Sequence, residues 1–389
     1  MYTSLKPILQ KELQKIHESG LHKAERVITS PQGRIIEVRG KKYLNFCANN
    51  YLGLSGSEKL IQAAKKALEK YGFGLSSVRF ICGTQDIHKK LEKKTAEFVG
   101  MDDAILYSSC MMANIGFFAS FLTEEDVILS DSLNHASVID GIRMSKAERY
   151  VFKHLDMSDL ENGLKSSNGK RTRCVVTDGV FSMDGDIAPL KEICDLADKY
   201  NALVVVDDSH ATGFMGKNGR GTHEHCGVLN RVDVITSTYG KALGGASGGF
   251  IAGPKEIIDT LRERSRTYLF SNSLPPVIAA SALFAINYIE KHPKLRANLW
   301  KNTNYFRDKI KKAGFTVPKS IHPIVPIMIG DAKYAQNMAR AMFDEGIYVI
   351  GFSYPVVPEG AARIRVQISS DHTKADINKL VAAFAKTKK

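Results

Sequence analysis

Two stretches of sequence decide the fold: VVVDDSH at residues 204–210 and STYGKALGG at residues 237–245. Three β-branched valines precede Asp207, and such residues favour a buried strand, so we expect Asp207 at the carboxyl end of one. His210 follows it closely, in the turn beyond the strand. The glycines around Lys241 permit close approach of the backbone to a ligand. The pattern predicts that an acid, a histidine and a lysine meet at one edge of a sheet.

The surrounding sequence repeats this arrangement of a short apolar run followed by a helix-like stretch. The apolar runs lie at residues 104–107, 127–130, 174–177, 203–206, 232–236 and 249–252. Such alternation predicts an α/β fold with a mostly parallel sheet and helices on both faces. Ligands of these sheets bind outside the carboxyl ends of the strands, where the candidate site residues fall.

The chain divides into three predicted parts. These are an N-terminal segment (residues 1–48), a large ligand-binding domain (residues 49–275) and a smaller C-terminal α/β domain (residues 276–389). A long helical stretch begins at the last boundary, from Pro275 and Pro276 onward. Further helices are expected near the N-terminus, at residues 58–71 and from about residue 374. Further strands are expected at residues 34–38, 42–46, 324–329, 347–351 and 363–368.

Length and composition exclude several classes of protein. With 389 residues, 44% of them hydrophobic, the chain can bury a large core. No apolar run approaches the roughly 20 residues of a membrane helix, and the N-terminus lacks the apolar core of a signal peptide. Six cysteines are scattered without Cys-x-x-Cys pairs, which favours free thiols in a reducing compartment. We therefore expect a cytoplasmic protein with no membrane partner.

The formal net charge of +13 raises the question of a nucleic-acid partner. The lysines, however, are interleaved with acids in helical patterns such as residues 89–94, and no zinc-finger or RNP signature occurs. A solvated basic surface accounts for most of the charge, and part of it can attract an anionic substrate such as a coenzyme A phosphate. We expect no nucleic-acid partner.

Lys241 and Asp207 together indicate a cofactor that is a pyridine aldehyde. A lysine can carry an aldehyde as a Schiff base and later act as a base, if burial lowers its pKa. A carboxylate at a strand end can pair with a protonated pyridine nitrogen and make the ring an electron sink. Asp207, Asp208 and Ser209 could each be a helix N-cap instead. The Asp-x-x-His spacing favours Asp207 as the ring partner, His210 near the ring hydroxyl oxygen and a structural role for Asp208. The pattern predicts pyridoxal 5'-phosphate (PLP).

Other residues can contribute to such a site. A phosphate needs backbone N–H groups at a helix start, and residues 107–114 follow a strand and open a helical pattern, with Thr238 able to donate from the other side. His135 could stack on the ring, although a histidine of this kind is more often structural. Arg363 and Arg365 lie on one face of a predicted strand, and either guanidinium could clamp a carboxylate with two parallel hydrogen bonds.

His223, His225 and Cys226 form a cluster that could bind zinc. No further ligand occurs nearby at a suitable spacing, and the flanking glycines predict a surface loop. We therefore expect no metal.

Longer motifs resemble those of the α-oxoamine synthases, a family of PLP enzymes. The resemblance covers nearly the whole chain and is carried by residues 45–54, 72–86, 131–137, 177–185 and 270–274. It implies the fold of a fold-type I PLP-dependent transferase and the condensation of an amino acid with an acyl-CoA. The most similar branch joins glycine to acetyl-CoA, giving 2-amino-3-oxobutyrate and CoA, and runs in reverse in threonine breakdown. The 8-amino-7-oxononanoate synthases, which use alanine and pimeloyl-CoA, and the serine palmitoyltransferases share the same PLP residues and remain alternatives.

Carried over residue by residue, the resemblance assigns roles to individual side chains. It implies catalytic roles for Lys241, His135, Asp207 and His210, with Lys241 as the Schiff-base lysine and His135 against the ring. The implied cofactor contacts further include Ser182 near the ring oxygen, and Cys110, Met111 and Thr238 at the phosphate. Ser271 and Asn272 would complete the phosphate site of a neighbouring subunit, which implies a homodimer with shared sites. The implied substrate-binding residues are Asn49, His135 and Arg365, with Arg365 rather than Arg363 matching the carboxylate-binding arginine. A catalytically silent PLP-binding subunit is the alternative from another class, and the intact lysine, acid and histidine argue against it.

Overall fold

The computed structural model describes residues 1–19, 22, 25–354 and 356–388. Its strands in chain order are β1 (Ile35–Val38), β2 (Lys41–Asn45), β3 (Asp103–Tyr107), β4 (Val127–Asp131), β5 (Glu148–Phe152), β6 (Arg173–Asp178), β7 (Ala202–Asp207), β8 (Val234–Thr238), β9 (Gly249–Gly253), β10 (Ile324–Gly330), β11 (Ile347–Tyr348), β12 (Gly351–Phe352) and β13 (Ala362–Gln367). Its helices are α1 (Tyr2–Glu18), α2 (Glu58–Tyr71), α3 (Asp86–Val99), α4 (Cys110–Phe121), α5 (Ala136–Met144), α6 (Met157–Ser166), α7 (Leu190–Tyr200), α8 (Thr222–His225), α9 (Lys255–Arg264), α10 (Arg266–Leu269), α11 (Pro276–Lys291), α12 (Lys294–Lys312), α13 (Ala332–Asp344) and α14 (Lys374–Thr387). Strands and helices alternate from β3 to β8, as the sequence predicts.

The large sheet has seven strands in the order β3-β9-β8-β7-β6-β4-β5. Neighbouring strands are parallel except at β9, which runs antiparallel to both β8 and β3. In β7, Val204 and Val206 pack into one core cluster and Val205 packs into another, because successive side chains of a strand point to opposite faces. Both faces are therefore covered, which confirms the predicted mostly parallel sheet with helices on both sides.

A smaller C-terminal part carries two three-stranded sheets, β1-β2-β11 and β10-β13-β12. The prediction of one strand at residues 347–351 is wrong. Ile347 and Tyr348 pair in parallel with β2, whereas Gly351 and Phe352 pair antiparallel with β13, so the chain crosses from one sheet to the other. The pairing of β2 with β11 also joins the N-terminal segment to the C-terminal part. The boundaries of the three domains stay predictions.

Strand β5 was missed by the sequence analysis. It forms the edge of the large sheet, and Glu148, Arg149 and Val151 are exposed, so the segment has no apolar run. The six cysteines are free thiols, which confirms that expectation. Within the described ranges, no helix has both the length and the apolar character needed to cross a membrane.

Candidate active site

Seven of the predicted site residues line one cavity at the carboxyl ends of the parallel strands. The cavity has a volume of ≈ 210 Å³, and these residues are Cys110, Met111, His135, Asp207, His210, Thr238 and Lys241. They lie at the end of β7 and β8 or in the segments that follow β3, β4, β7 and β8. The sheet thus brings together side chains that are up to 131 positions apart (241 − 110).

Lys241 lies in the loop between β8 and β9 and is partly buried. Gly244 and Gly245 have φ of 111° and 77°, and a Cβ at Gly245 would lie 2.0 Å from the Ser55 hydroxyl, so this turn requires glycine. Burial lowers the pKa of the Lys241 amine below its ordinary value, and the charge of Asp207 opposes the shift. The amine is therefore more readily neutral than that of a surface lysine, as a nucleophile or base must be.

Asp207 ends β7 and is buried. Its Oδ1 accepts the backbone N–H of Ser209 at 3.0 Å, and its Oδ2 accepts Asn114 Nδ2 at 2.8 Å. Two directed donors hold the carboxylate in one orientation. Asn114 was not predicted as a site residue, although a polar residue one turn into the largely apolar helix α4 was an available signal.

Asp208 points away from the cavity and has a structural role, as expected. Its carboxyl group accepts hydrogen bonds from the Thr212 hydroxyl at 3.0 Å and from the backbone N–H and hydroxyl of Thr222. Burial raises the pKa of Asp208 to about 7, against the effect of the hydrogen bonds from Thr222. This buried network fixes the turn after β7.

His210 is buried in the cavity wall. Its Nδ1 lies 2.7 Å from the Tyr51 hydroxyl, and its carbonyl oxygen lies 2.8 Å from His322 Nε2. Burial, together with the positive charges of Lys241 and Arg365, lowers the pKa of His210 well below its ordinary value. The imidazole is therefore neutral near pH 7. Neither Tyr51 nor His322 was predicted as part of the site.

His135 caps α5 and is exposed at the mouth of the cavity. Its Nδ1 accepts the backbone N–H of Ser137 at 3.2 Å, and its own backbone N–H donates to Asp178 Oδ1 at 3.1 Å. Desolvation by the surrounding wall lowers the pKa of the His135 imidazole, against the effect of Asp207. Burial, then the charge of Asp207, raises the pKa of the Asp178 carboxyl well above its ordinary value, which favours the neutral acid. Asp178 ends β6 and was not predicted.

The start of α4 contributes Cys110 and Met111 to the wall of the cavity. Ser109 Oγ accepts the backbone N–H of Met112 at 3.2 Å, and the preceding N–H groups of Cys110 and Met111 have no acceptor within the helix. The backbone of β9 packs closely against the first residue of α4 at Gly249. Only glycine fits there, since a Cβ would lie 2.3 Å from the Cys110 nitrogen. Thr238 lies beside it, and its hydroxyl donates to Gly248 O at 2.9 Å, so a phosphate would require this hydroxyl to rotate.

Five predicted residues do not line the cavity: Asn49, Ser182, Ser271, Asn272 and Arg365. Arg365 Nη1 donates to the carbonyl oxygen of Ser182 at 2.8 Å, and its guanidinium lies 5.1 Å from the centroid of the Phe352 ring. Its charge is close enough to lower the pKa of Lys241. Asn49 Oδ1 is buried and has no hydrogen-bond partner among the described residues. Ser271 and Asn272 lie in the loop between α10 and α11.

Arg363 and Arg365 differ in their partners. Arg363 forms an ion pair with Asp184, whereas Arg365 has no carboxylate partner in the part of the chain that the structure describes. The guanidinium of Arg365 is therefore the one that is available for an added carboxylate.

The cluster of His223, His225 and Cys226 does not converge on a point. His223 Nε2 lies 2.8 Å from the carbonyl oxygen of Val99, the Cys226 thiol contacts the carbonyl oxygen of Ala188 at 3.8 Å, and His225 is exposed. Across residues 1–19, 22, 25–354 and 356–388, no group of three or more histidine, cysteine or acidic residues could hold a metal ion.

Comparison with known proteins gives matches over the whole chain. The aminotransferase class I and II family model matches residues 41–384. The 2-amino-3-ketobutyrate coenzyme A ligase of Escherichia coli is 56% identical over 381 residues, which cover 97% of this chain and 96% of that protein. The 8-amino-7-oxononanoate synthase of Thermosipho melanesiensis is 46% identical over 382 residues, covering 98% and 97%. A structure of serine palmitoyltransferase from S. paucimobilis with a bound PLP-myriocin aldimine has a TM-score of 0.93 at 31% identity, covering 100% of this chain and 98% of that chain.

Proposed function

The chain belongs to the aminotransferase class I and II family, and we propose that within it the chain is a glycine C-acetyltransferase, or 2-amino-3-ketobutyrate coenzyme A ligase. It joins glycine to acetyl-CoA, giving 2-amino-3-oxobutyrate and CoA, and in reverse it cleaves this product in threonine degradation. The observation that carries the proposal is the identity to such ligases over nearly the full length. The other α-oxoamine synthases share the PLP residues, so the site alone does not choose between them.

The residues of the cavity fit PLP as the cofactor. Lys241 supplies an amine whose pKa is lowered by burial, and Asp207 supplies a buried carboxylate with a fixed orientation. The N–H groups of Cys110 and Met111 at the start of α4 suit a phosphate, because the helix dipole also favours an anion there. The neutral imidazole of His210 can contact the ring hydroxyl oxygen. These features support a fold-type I PLP site.

The chemistry divides between the cofactor and the side chains. When bound, PLP supplies an aldehyde that captures the amino acid and a protonated ring that delocalises negative charge from its α-carbon. Asp207 would keep the ring nitrogen protonated, because its carboxylate can accept the N–H hydrogen bond of a protonated ring. The Lys241 amine takes a proton from the α-carbon of glycine, for which it must be neutral. Bond formation between this carbon and the thioester carbonyl of acetyl-CoA would break the C–S bond, and the protonated Lys241 could return its proton to the CoA thiolate that leaves.

We place the glycine carboxylate at Arg365. This guanidinium is buried, lies over the Phe352 ring and, among the described residues, donates only to the Ser182 carbonyl, so it keeps donors for a bidentate pair. The buried Asn49 Oδ1, which has no partner among the described residues, supports Asn49 as a further polar contact of the substrate. His135, at the mouth of the cavity, can present a ring N–H to the substrate.

A second pocket beside the PLP cavity is suited to part of acetyl-CoA. It has a volume of ≈ 320 Å³, and its lining consists of three apolar residues, two arginines and three residues at the end of β4: Ile139, Ile142, Val151, Arg143, Arg149, Ser130, Asp131 and Ser132. An apolar floor with two arginines matches a carrier that combines an aliphatic arm with phosphates. Helix α5 contributes its first turn to the PLP cavity and its later residues to this pocket, so the two sites are adjacent.

We propose a homodimer with shared sites, in which Ser271 and Asn272 contact the phosphate bound by the other subunit. Large apolar side chains are exposed near these residues: Phe270 is 67%, Phe80 62% and Ile81 69% exposed. A backbone hydrogen bond from Ser273 to Ser77 links the two loops that carry them. A single chain rarely leaves such a surface uncovered. The free thiols support a reducing, cytoplasmic location.

Mixed dimers test the shared site. Lys241→Ala and Ser271→Ala/Asn272→Ala chains should each be impaired alone, and unfolding and refolding them together should restore about a quarter of the wild-type activity. Half of the dimers would then be mixed, each with one intact site of two. If each chain completed its own site, mixing would restore nothing.

The identity of the product tests the function itself. Carboxyl-labelled glycine and acetyl-CoA should give, after rapid reduction with borohydride, threonine and allo-threonine that retain the label. Release of the carboxyl label during the enzymatic reaction, or reaction only between alanine and pimeloyl-CoA, would place the chain with the decarboxylating synthases.

A further inference from the structure

Asn114 lies where α4, α5 and the end of β7 meet. It is 1% exposed, and its Nδ2 lies 2.8 Å from Asp207 Oδ2 and 2.9 Å from Ser137 Oγ. A carboxylate only accepts hydrogen bonds, so the amide nitrogen and not the oxygen must face Asp207. Gly141 allows α4 and α5 to pack this closely, because a Cβ there would lie 2.9 Å from the backbone carbonyl oxygen of Asn114. Both hydrogens of the amide are thus used inside the site.

The amide hydrogen of Asn114 that points to Ser137 sets the direction of a short chain of hydrogen bonds. Ser137 Oγ accepts from Asn114, so its own hydrogen is free to donate to His135 Nδ1, which lies 2.7 Å away. The backbone N–H of Ser137 is directed at the same Nδ1, at 3.2 Å, and a backbone N–H can only donate. His135 Nδ1 is therefore the unprotonated nitrogen, and the proton of the neutral ring is on Nε2.

We infer that Asn114 is a positioning residue that fixes two groups of the site at once: the Asp207 carboxylate and, through the Ser137 hydroxyl, the His135 tautomer with its proton on Nε2. With Nδ1 engaged inside the protein, Nε2–H is the group that His135 presents to the cavity, where it can donate to an oxygen of the substrate. The roles of Asp207 and His135 toward a bound cofactor and substrate rest on the proposed function. The hydrogen-bond geometry does not depend on it.

Nitrogen-15 NMR of the cofactor-free protein, labelled at histidine, reads this tautomer directly. His135→Gln identifies the signals of the ring. We expect Nδ1 to be unprotonated and Nε2 protonated in the wild type. The backbone N–H of Ser137 still favours this tautomer in Asn114→Leu and Ser137→Ala, so the other tautomer should appear there as a minor but measurable fraction, because the hydroxyl donor is no longer oriented or is absent. Ser137→Thr, which keeps the hydroxyl, should restore the wild-type pattern. A proton on Nδ1 in the wild type would overturn the inference without any variant.

Titration of the cofactor-free protein with PLP separates the two tasks of Asn114. Asn114→Leu removes a hydrogen bond to the charged Asp207 and should weaken PLP binding by roughly tenfold or more. Ser137→Ala leaves that bond in place and should change the affinity by less than about threefold. Equal losses in the two variants, or no loss in Asn114→Leu, would show that Asn114 only packs the helices.

These readouts use neither acetyl-CoA nor turnover. If the chain proves to condense another pair of substrates, they stand unchanged. If they fail while the labelled product forms, only the role of Asn114 is refuted.

Discussion

Replacing Arg365 with glutamine separates the binding of the substrate carboxylate from the packing of the protein. Arg365 Nη1 donates to the Ser182 carbonyl, and among the described residues no carboxylate pairs with it. Glutamine keeps one N–H donor for Ser182 and removes the charge. We therefore expect Arg365→Gln to fold with nearly wild-type stability and to bind glycine poorly.

The size of the loss follows from the hydrogen bonds to a charged carboxylate. Each contributes about 1.5–3 kcal/mol, and glutamine can replace one of the two in a bidentate pair. The loss of the other lowers kcat/KM for glycine about 10- to 150-fold, since 1.4 kcal/mol corresponds to a factor of ten. Initial rates of CoA release at varied glycine concentrations measure it, with acetyl-CoA saturating.

Arg363→Gln is the matched control on the same strand. It breaks the ion pair between Arg363, which is buried, and Asp184, which is partly exposed. We expect the free energy of unfolding to fall by about 1–3 kcal/mol. The unfolding entropy of a chain of 389 residues corresponds to roughly 0.8 kcal/mol per degree, so Tm falls by roughly 1–4 °C. Its kcat/KM for glycine should change less than that of Arg365→Gln. The reverse order of the two variants would refute the assignment.

Two further predictions concern pH and the phosphate site. Burial lowers the pKa of His154, but the carboxylates of Asp131 and Asp186 outweigh it and raise the pKa to about 9, above the unfolded value of about 6.5. The stability from His154 is therefore complete below about pH 6.5 and is lost as the pH rises through about 9, and urea unfolding of His154→Gln should lack this decline. Gly249→Ala places a Cβ 2.3 Å from the first nitrogen of α4 and should weaken PLP binding, whereas Gly33→Ala, with nothing within 4 Å, should not. Equal affinities would contradict the close approach.

Local sequence predicts those parts of the fold that depend on neighbouring residues. The valines before Asp207 predict the central strand β7 and its end correctly, because a run of β-branched residues indicates a strand without knowledge of its pairing partners. Edge strand β5 has no such run because one side of it faces solvent. The split of residues 347–352 depends on which strand each half pairs with, and no local pattern contains that information.

The same limit applies to the candidate site. Residues that directly follow a strand could be placed in the cavity, because the carboxyl ends of parallel strands share one edge. Asn114 and Asp207 are 93 positions apart, and Arg363 and Asp184 are 179 apart, so the contacts that orient these side chains were not predictable from spacing. Alternation placed Arg363 and Arg365 on one face, and in the structure the ion pair of Arg363 with Asp184 distinguishes them.

Release of CoA, measured by thiol titration, tests the proposed function most directly. Glycine or alanine would be combined with acetyl-, pimeloyl- and palmitoyl-CoA, with Lys241→Ala as the blank. The account predicts turnover with glycine and acetyl-CoA that far exceeds every other pair and is absent in the blank. Preference for alanine with pimeloyl-CoA, or release that persists in Lys241→Ala, would contradict it.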